Sequence, residues 1–338
     1  MVDRVNPVLV EVTRGALVES RHRGAIAVVD SKGRLIGQWG DIGRPVYARS
    51  AIKSLQAIAL LESGAARHFR LGDREIALAC ASHSGEARHT KAVGQWLGRL
   101  GLHERDLECG AQMPLHGPTA EKMIRGRAKP SSIHNNCSGK HAGFLATAVH
   151  LGEAHRHYID FDHPVQQRVY RMLEEMSDTL LTRAPRGIDG CGIPVIGMSL
   201  RGMARAMARM AEPKGLGQVR SRAIERIRKA IATQPFYVAG SGRFCTRVIG
   251  AFGGKVLLKT GAEGVFTGVV PAMGLGIALK IDDGTTRAAE MAMMGLLHGL
   301  KLIDAKTAKA LSGYYPVQLA NRAGRRVGEI RPALALTP

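Results

Sequence analysis

Apolar and polar positions follow a strand-like pattern near both ends of the chain and a helical one between. Residues 8–13 alternate, 24–30 are apolar and rich in β-branched side chains, and 35–39 follow the turn-like Asp30-Ser31-Lys32-Gly33. These segments read as a meander of strands. Pro45 and Arg49 precede a predicted helix over about 50–62, with Ile52, Leu55, Ile58 and Ala59 on one stripe. Residues 76–81 read as a short strand or buried apolar segment. Asp162 is a candidate N-cap, with Pro164 in the first turn of a periodic run to Met176. Met203, Met207 and Met210 form a further stripe, which reads as core packing. Past residue 250 strands return at 256–260, 264–270 and 274–281, and a helix over about 285–302 follows Asp282-Asp283-Gly284. The pattern predicts an α/β (α+β) fold. An antiparallel sheet is assembled from 8–41 and 250–284, and a largely helical region over about 50–230 packs on it. The whole of 1–338 reads as one catalytic unit, with neither internal repeats nor low-complexity segments.

A chain of 338 residues can bury a substantial core. No apolar run approaches 18 residues, so no transmembrane helix is expected. The stretch Met1 to Pro7 lacks a long apolar segment, which predicts no secretory signal and a cytoplasmic protein. Five cysteines stand at 80, 109, 137, 191 and 245. An odd number, widely spaced, argues against a disulfide scaffold and for reduced thiols. The formal net charge of +20 makes attraction to nucleic acid a competing reading. Yet the charge is mostly dispersed arginine, aromatics are only 4%, and no recognition motif is present. A solvated basic surface is therefore favoured over a dedicated nucleic-acid site.

The chemistry lies elsewhere. Ser50 and Lys53 are three apart at the start of the predicted helix and would share a face. A neutral lysine in that position takes the proton from a serine hydroxyl, and a helix N-terminus stabilises developing negative charge. The alternative is that Ser50 only caps the helix and Lys53 is solvated. Lys259-Thr260-Gly261 supplies a second lysine on a strand, unless Lys259 is an exposed edge residue. Class A β-lactamases and penicillin-binding proteins carry Ser-x-x-Lys and Lys-Thr-Gly in this order. Their intermediate Ser-Asp-Asn tripeptide is missing here. Ser82 offers another hydroxyl, or is a turn residue. Cys137 and Cys191, with Lys140, His134 or His141 nearby, raise the question of zinc, against a reading as ordinary buried thiols. His155, His157, Asp160 and His163 are discounted as a metal cluster, since a helix start already explains Asp162 and Pro164.

Several stretches resemble the Rhizobium etli-type L-asparaginases, the class 3 or L-asparaginase II family. They are Ala48-Arg49-Ser50-Ala51-Ile52-Lys53, Ala81-Ser82-His83-Ser84-Gly85-Glu86, and Asn135-Asn136-Cys137-Ser138-Gly139-Lys140-His141. Asp189-Gly190-Cys191-Gly192, Lys259 to Gly264 and Lys280 to Gly284 extend the likeness over nearly the whole chain. The resemblance implies a serine β-lactamase/glutaminase-like fold, a homodimer, and hydrolysis of L-asparagine to L-aspartate and ammonia. It implies two Ser–Lys tandems, Ser50 with Lys53 and Ser82 with Lys259. It also implies one zinc ion on Cys137, Lys140 and Cys191. Lys280 is the alternative to Lys259. Ser-x-x-Lys logic favours Ser50 as nucleophile, with Ser82 competing. By charge, Arg49 and Asp189 are candidates for the substrate's α-carboxylate and α-ammonium. Asn136 and His141 are candidate neutral hydrogen-bonders. A glutaminase or another amidohydrolase on the same fold is the runner-up.

Overall fold

The computed structural model describes residues 5–338. Residues 1–4, part of the stretch read above for a leader, lie outside the described residues. The chain divides into two compact units. The first comprises the segment up to Ala51, Met198–Glu212 and Leu258–Pro338; the second comprises Ile52–Gly197 and Pro213–Leu257.

The first unit holds an eight-stranded sheet among the described residues. Its order is Val317–Ala320, Arg326–Pro332, Val8–Arg14, Leu17–Asp30, Leu275–Ile281, Val265–Val270 and Leu257–Thr260, with Leu35–Trp39 also paired to Leu17–Asp30. The pairings given in register are antiparallel, including Ile26 opposite Leu279 and Thr267 opposite Ala278. Ala25 to Val29 are each no more than 2% exposed. Such a continuous buried run belongs to a strand covered on both faces. The helix Leu200–Ala211 lies on Leu17–Asp30 and Leu275–Ile281, and buries Met203, Met207 and Met210 as expected of a core stripe. Gly276 permits this approach: a Cβ there would lie 2.1 Å from both Ala204 O and Ala208 N.

Sheet and helices thus follow the predicted layout, with additions. The strands Val317–Ala320 and Arg326–Pro332 extend the sheet beyond the two predicted blocks. Their side chains are mostly half-buried or exposed, so their apolar signal is weak.

The second unit is built around the helix Ser138–His150, buried from Ser138 to Ala148. A helix apolar nearly all round belongs in a core. It is packed by Ile58–Glu62, Asp73–Ala79, Ala87–Arg99 and Pro164–Ser177. Two local expectations are corrected here. Residues 76–81 are the end of the helix Asp73–Ala79 and its exit, not a strand. Glu75 accepts from Gly72 N at 2.9 Å and fixes the start of that helix. The helix Pro164–Ser177 is capped by His163, whose Nδ1 accepts from Val165 N, rather than by Asp162. Among the described residues no helix is long and apolar enough to cross a membrane.

Candidate active site and thiol cluster

The predicted helix over 50–62 is broken. Residues Arg49–Ile52 form a 3-10 turn, followed by short helices Lys53–Gln56 and Ile58–Glu62. Ile52, not Ser50, occupies the N-cap position of the first, so capping does not explain Ser50. Lys53 is 1% exposed, which removes the solvated reading.

Lys53 Nζ donates to Ala81 O at 2.5 Å, to Ser82 Oγ at 3.0 Å and to Cys137 Sγ at 3.1 Å. Nζ thus meets three polar partners. The serine hydroxyl among them is that of Ser82. Ser82 is itself 5% exposed, and its segment is tied at both ends. Ser82 N donates to Val238 O at 3.0 Å, and His83 N donates to Asn136 O at 3.1 Å. The His83 ring is wholly buried, with Nε2 2.9 Å from Ser138 Oγ. Burial, then the charges of His89 and Lys53, holds His83 well below its ordinary range, so it packs as a neutral ring. Sequence reasoning missed His83 and Ser138 as positioning groups, although both lie inside the quoted motifs.

Beside Lys53 lies a cluster of thiols. Cys137 stands at the N-cap of Ser138–His150, and Lys140 lies one turn on. Lys140 Nζ donates to Cys191 Sγ at 3.0 Å. Cys191 comes from the turn between Arg186–Ile188 and Pro194–Met198, closed by Asp189 N to Ile193 O at 2.8 Å. Gly192 takes φ +88°, a conformation that favours glycine. Cys191 Sγ donates to Asp189 Oδ2 at 3.2 Å. The ligand atoms of Cys137, Asp189 and Cys191 all lie within 4.8 Å of one another.

The electrostatics are those of one shared buried site. A hydrogen bond from Cys191 and the charges of Lys53 and Lys140 outweigh burial and drive Cys137 toward the thiolate. The bond to Cys137 and burial drive Cys191 the other way, toward the thiol. Burial disfavours charged Lys140, but Cys137, Cys191 and Asp189 prevail and push it up to about 12. Cys109, by contrast, is pushed up to about 12 mainly by burial and is an inert thiol.

The other predicted residues are placed as follows. Asn136 Oδ1 lies 3.1 Å from Cys137 Sγ. His141 Nδ1 is 2.8 Å from Tyr158 Oη. His134 Nδ1 is taken by Ser131 Oγ at 3.0 Å. Asp189, the candidate for the substrate ammonium, accepts from Cys191 Sγ through Oδ2.

Arg49, Ser50 and Lys259 belong to the first unit. Arg49 has φ +50°, an uncommon conformation for a side-chain-bearing residue, directly before Ser50. Lys259 is 5% exposed and donates to Thr260 O at 2.7 Å, so it is not an exposed edge lysine. The strand carrying it ends at Thr260, and Gly261 follows beside the Ser50 turn. A Cβ on Gly261 would lie 3.1 Å from both Ala48 O and Ala51 N. Lys280 is half-buried and donates to the backbone carbonyls of Glu263 and Ile281.

No curated protein matches the chain. Among solved structures it is similar to Mglu in its native form in 4.3 M NaCl. The TM-score is 0.46 at 14% identity, over 84% of this chain and 62% of that one. The chain therefore spans less than two thirds of the Mglu chain. It is also similar to a class C β-lactamase from Rhodobacter sphaeroides, with TM-score 0.42, 14% identity, and coverage of 83% and 95%. Likeness at this level transfers neither activity nor ligand. The L-asparaginase II family profile, however, matches residues 10–332, nearly the full length. With that match, this chain belongs to the L-asparaginase II family.

Proposed function

We propose that this protein is an amidohydrolase, an L-asparaginase of Rhizobium etli type that converts L-asparagine to L-aspartate and ammonia. The observation that carries the reading is the buried contact of Lys53 Nζ with Ser82 Oγ at 3.0 Å. Family membership supports the amide as the bond that is cut.

Neutral Lys53 takes the Ser82 proton, and Oγ attacks the carboxamide carbon. A tetrahedral oxyanion forms. Lys53 passes the proton to nitrogen, the C–N bond breaks and ammonia leaves an acyl-enzyme ester. Water attacks the ester and gives up a proton to Lys53; the C–Oγ bond then breaks, Lys53 returns the proton to Ser82 Oγ, and L-aspartate is released. Ser50 with Lys53 and Ser82 with Lys259 enter as the two proposed tandems, on the strength of the Ser-x-x-Lys and Lys-Thr-Gly patterns. Arg49 is the proposed cation for the substrate α-carboxylate.

The thiol cluster fits a zinc ion. Two buried sulfurs, a buried amine and a half-buried carboxylate, close together, are the donors of a borderline-soft tetrahedral ion. Cys137, Lys140 and Cys191 would hold it, with Asp189 as a further donor. Bound there, zinc would supply a fixed positive charge that orients the substrate. The reading extends to a homodimer and to a cytoplasmic location. Five free, buried cysteines suit a reducing compartment.

The test is ammonia release by the purified protein from L-asparagine and L-glutamine. Release from asparagine supports the proposal. Release from glutamine alone replaces it with a glutaminase, since one methylene is worth only about 1–3 kcal/mol of discrimination. Release from neither, with salt-dependent retention of DNA, would favour the nucleic-acid reading. Light scattering of the eluted protein checks the dimer.

A further inference from the structure

Glu86 stands at the N-cap of the helix Ala87–Arg99, yet its side chain caps nothing there. A polar N-cap side chain ordinarily turns back to the free N–H groups of its own helix. The half-buried Glu86 carboxylate turns elsewhere. Oε1 accepts from Ser84 Oγ at 2.7 Å and from Ser241 N at 2.8 Å, and Oε2 accepts from Ser241 Oγ at 2.7 Å. Burial opposes its ionisation, but these bonds, the one from Ser241 N foremost, outweigh it and hold the carboxyl below its ordinary range.

Both partners belong to the surroundings of Ser82, and all lie within the second unit. Ser84 follows Ser82 by two residues. Ser241 follows Val238 by three, and the Val238 carbonyl accepts from Ser82 N at 3.0 Å. Gly240, between these two, has φ +121°, and a Cβ there would lie 1.9 Å from Ser84 Oγ and 2.7 Å from Glu86 Oε1. The backbone at 240 is thus pressed against the Ser84–Glu86 pair, with no room for a side chain. Alongside, the His89 ring stacks on Phe236 with 4.4 Å between centroids.

We propose that Glu86 is a positioning residue for Ser82: its carboxylate ties 238–241 to 82–86 and so holds the serine hydroxyl at Lys53 Nζ. The proposal rests on the amidohydrolase reading with Ser82 as the attacking hydroxyl. Displacing a reacting group by about 1 Å costs on the order of 10²-fold in rate, so a clamp on the Ser82 backbone acts on kcat. Arg49, the proposed cation for the substrate, is no part of the clamp, so KM is spared. Spacing gives no signal for the pair, since Glu86 and Ser241 are 155 positions apart.

The test compares Glu86→Ala, Glu86→Gln and Ser82→Ala in the full chain, by steady-state ammonia release from asparagine and by hydrogen exchange read by mass spectrometry. Glutamine keeps all three bonds: its oxygen accepts from Ser84 Oγ and Ser241 N, and its amide donates to Ser241 Oγ. Glu86→Ala should lower kcat about ten- to hundredfold with KM held within about twofold. Glu86→Gln should restore kcat to within about threefold of the parent. Exchange in Glu86→Ala should quicken over 82–86 and 238–241 and stay unchanged in the helix Ser138–His150. Parental kcat in Glu86→Ala would overturn the proposal. So would a raised KM with kcat kept, a Glu86→Gln no better than Glu86→Ala, or unchanged exchange over 82–86. Should Glu86→Ala fail to fold, Ser84→Ala combined with Ser241→Ala removes two of the three donors and is read the same way. Loss in Ser82→Ala with full activity in Glu86→Ala defeats the clamp alone. Parental turnover in Ser82→Ala, or no ammonia from the parent, defeats the reading beneath it, and exchange still decides whether Glu86 holds the Ser82 segment.

Discussion

Lys53 Nζ meets Ser82 Oγ at 3.0 Å although the two residues are 29 positions apart. Both are buried, and the same Nζ also touches Cys137 Sγ at 3.1 Å. One lysine therefore links a serine hydroxyl to the thiol cluster.

If this contact is the reactive pair, Ser82→Ala and Lys53→Met each lower kcat by at least about 10²-fold. The double variant should lose little more than either single one, because the two act as a unit. Steady-state ammonia release with melting curves checks this. Ser50→Ala measured alongside tests the Ser50–Lys53 tandem. Near-parental turnover in Ser82→Ala would shift the nucleophile to Ser50.

Elemental analysis of protein purified without chelator should find about one zinc per chain. Cys137→Ser combined with Cys191→Ser should abolish it. Asp189→Asn should weaken retention under chelator challenge, as loss of a further donor does. Zinc-free parental protein would remove the metal from the proposed site.

Gly139 lies between Cys137 and Lys140, and a Cβ there would fall 2.4 Å from Leu78 O. That atom is backbone in the packed helix Asp73–Ala79 and cannot swing aside. Gly139→Ala should therefore cost about 1–3 kcal/mol of stability, as overpacking does. Denaturant unfolding checks it; an unchanged midpoint would show that the two helices separate easily.

Glu75 is 3% exposed and pairs with Arg74 at 2.8 Å and Arg99 at 2.7 Å. Burial raises its pKa, but hydrogen bonding by Arg74 and the charges of Arg99 and Arg74 outweigh this and hold it below 4.5. With the folded value depressed, the stabilisation is complete above the unfolded value and lost as pH falls through the folded one. Glu75→Gln should cost about 1–3 kcal/mol at neutral pH and shrink toward zero in acid. Melting temperatures from pH 7 to pH 3 test the sign, and parallel curves for the two proteins would contradict it.

Local pattern determined much of this fold. Period-two segments at both ends became the sheet, because alternating and β-branched side chains fit a pleated, buried surface. The run from Pro164 to Met176 became a helix, since proline in the first turn and helical periodicity agree. The motif residues Lys53, Ser82, Cys137, Lys140 and Cys191 were legible because their types and order carry chemistry. Tertiary structure decided what periodicity leaves open. Residues 76–81 are apolar throughout, so strand and helix have the same pattern, and Glu75 bonding Gly72 N settled the helix. Lys53 meets Ser82, 29 positions away. Its short helix is interrupted, and its long side chain finds three acceptors in the core of the second unit. Asp189 went to Cys191, and Tyr158 to His141, through packing of elements distant in sequence. Such partners are chosen by burial, where each polar group must find a hydrogen bond, and no local spacing encodes them.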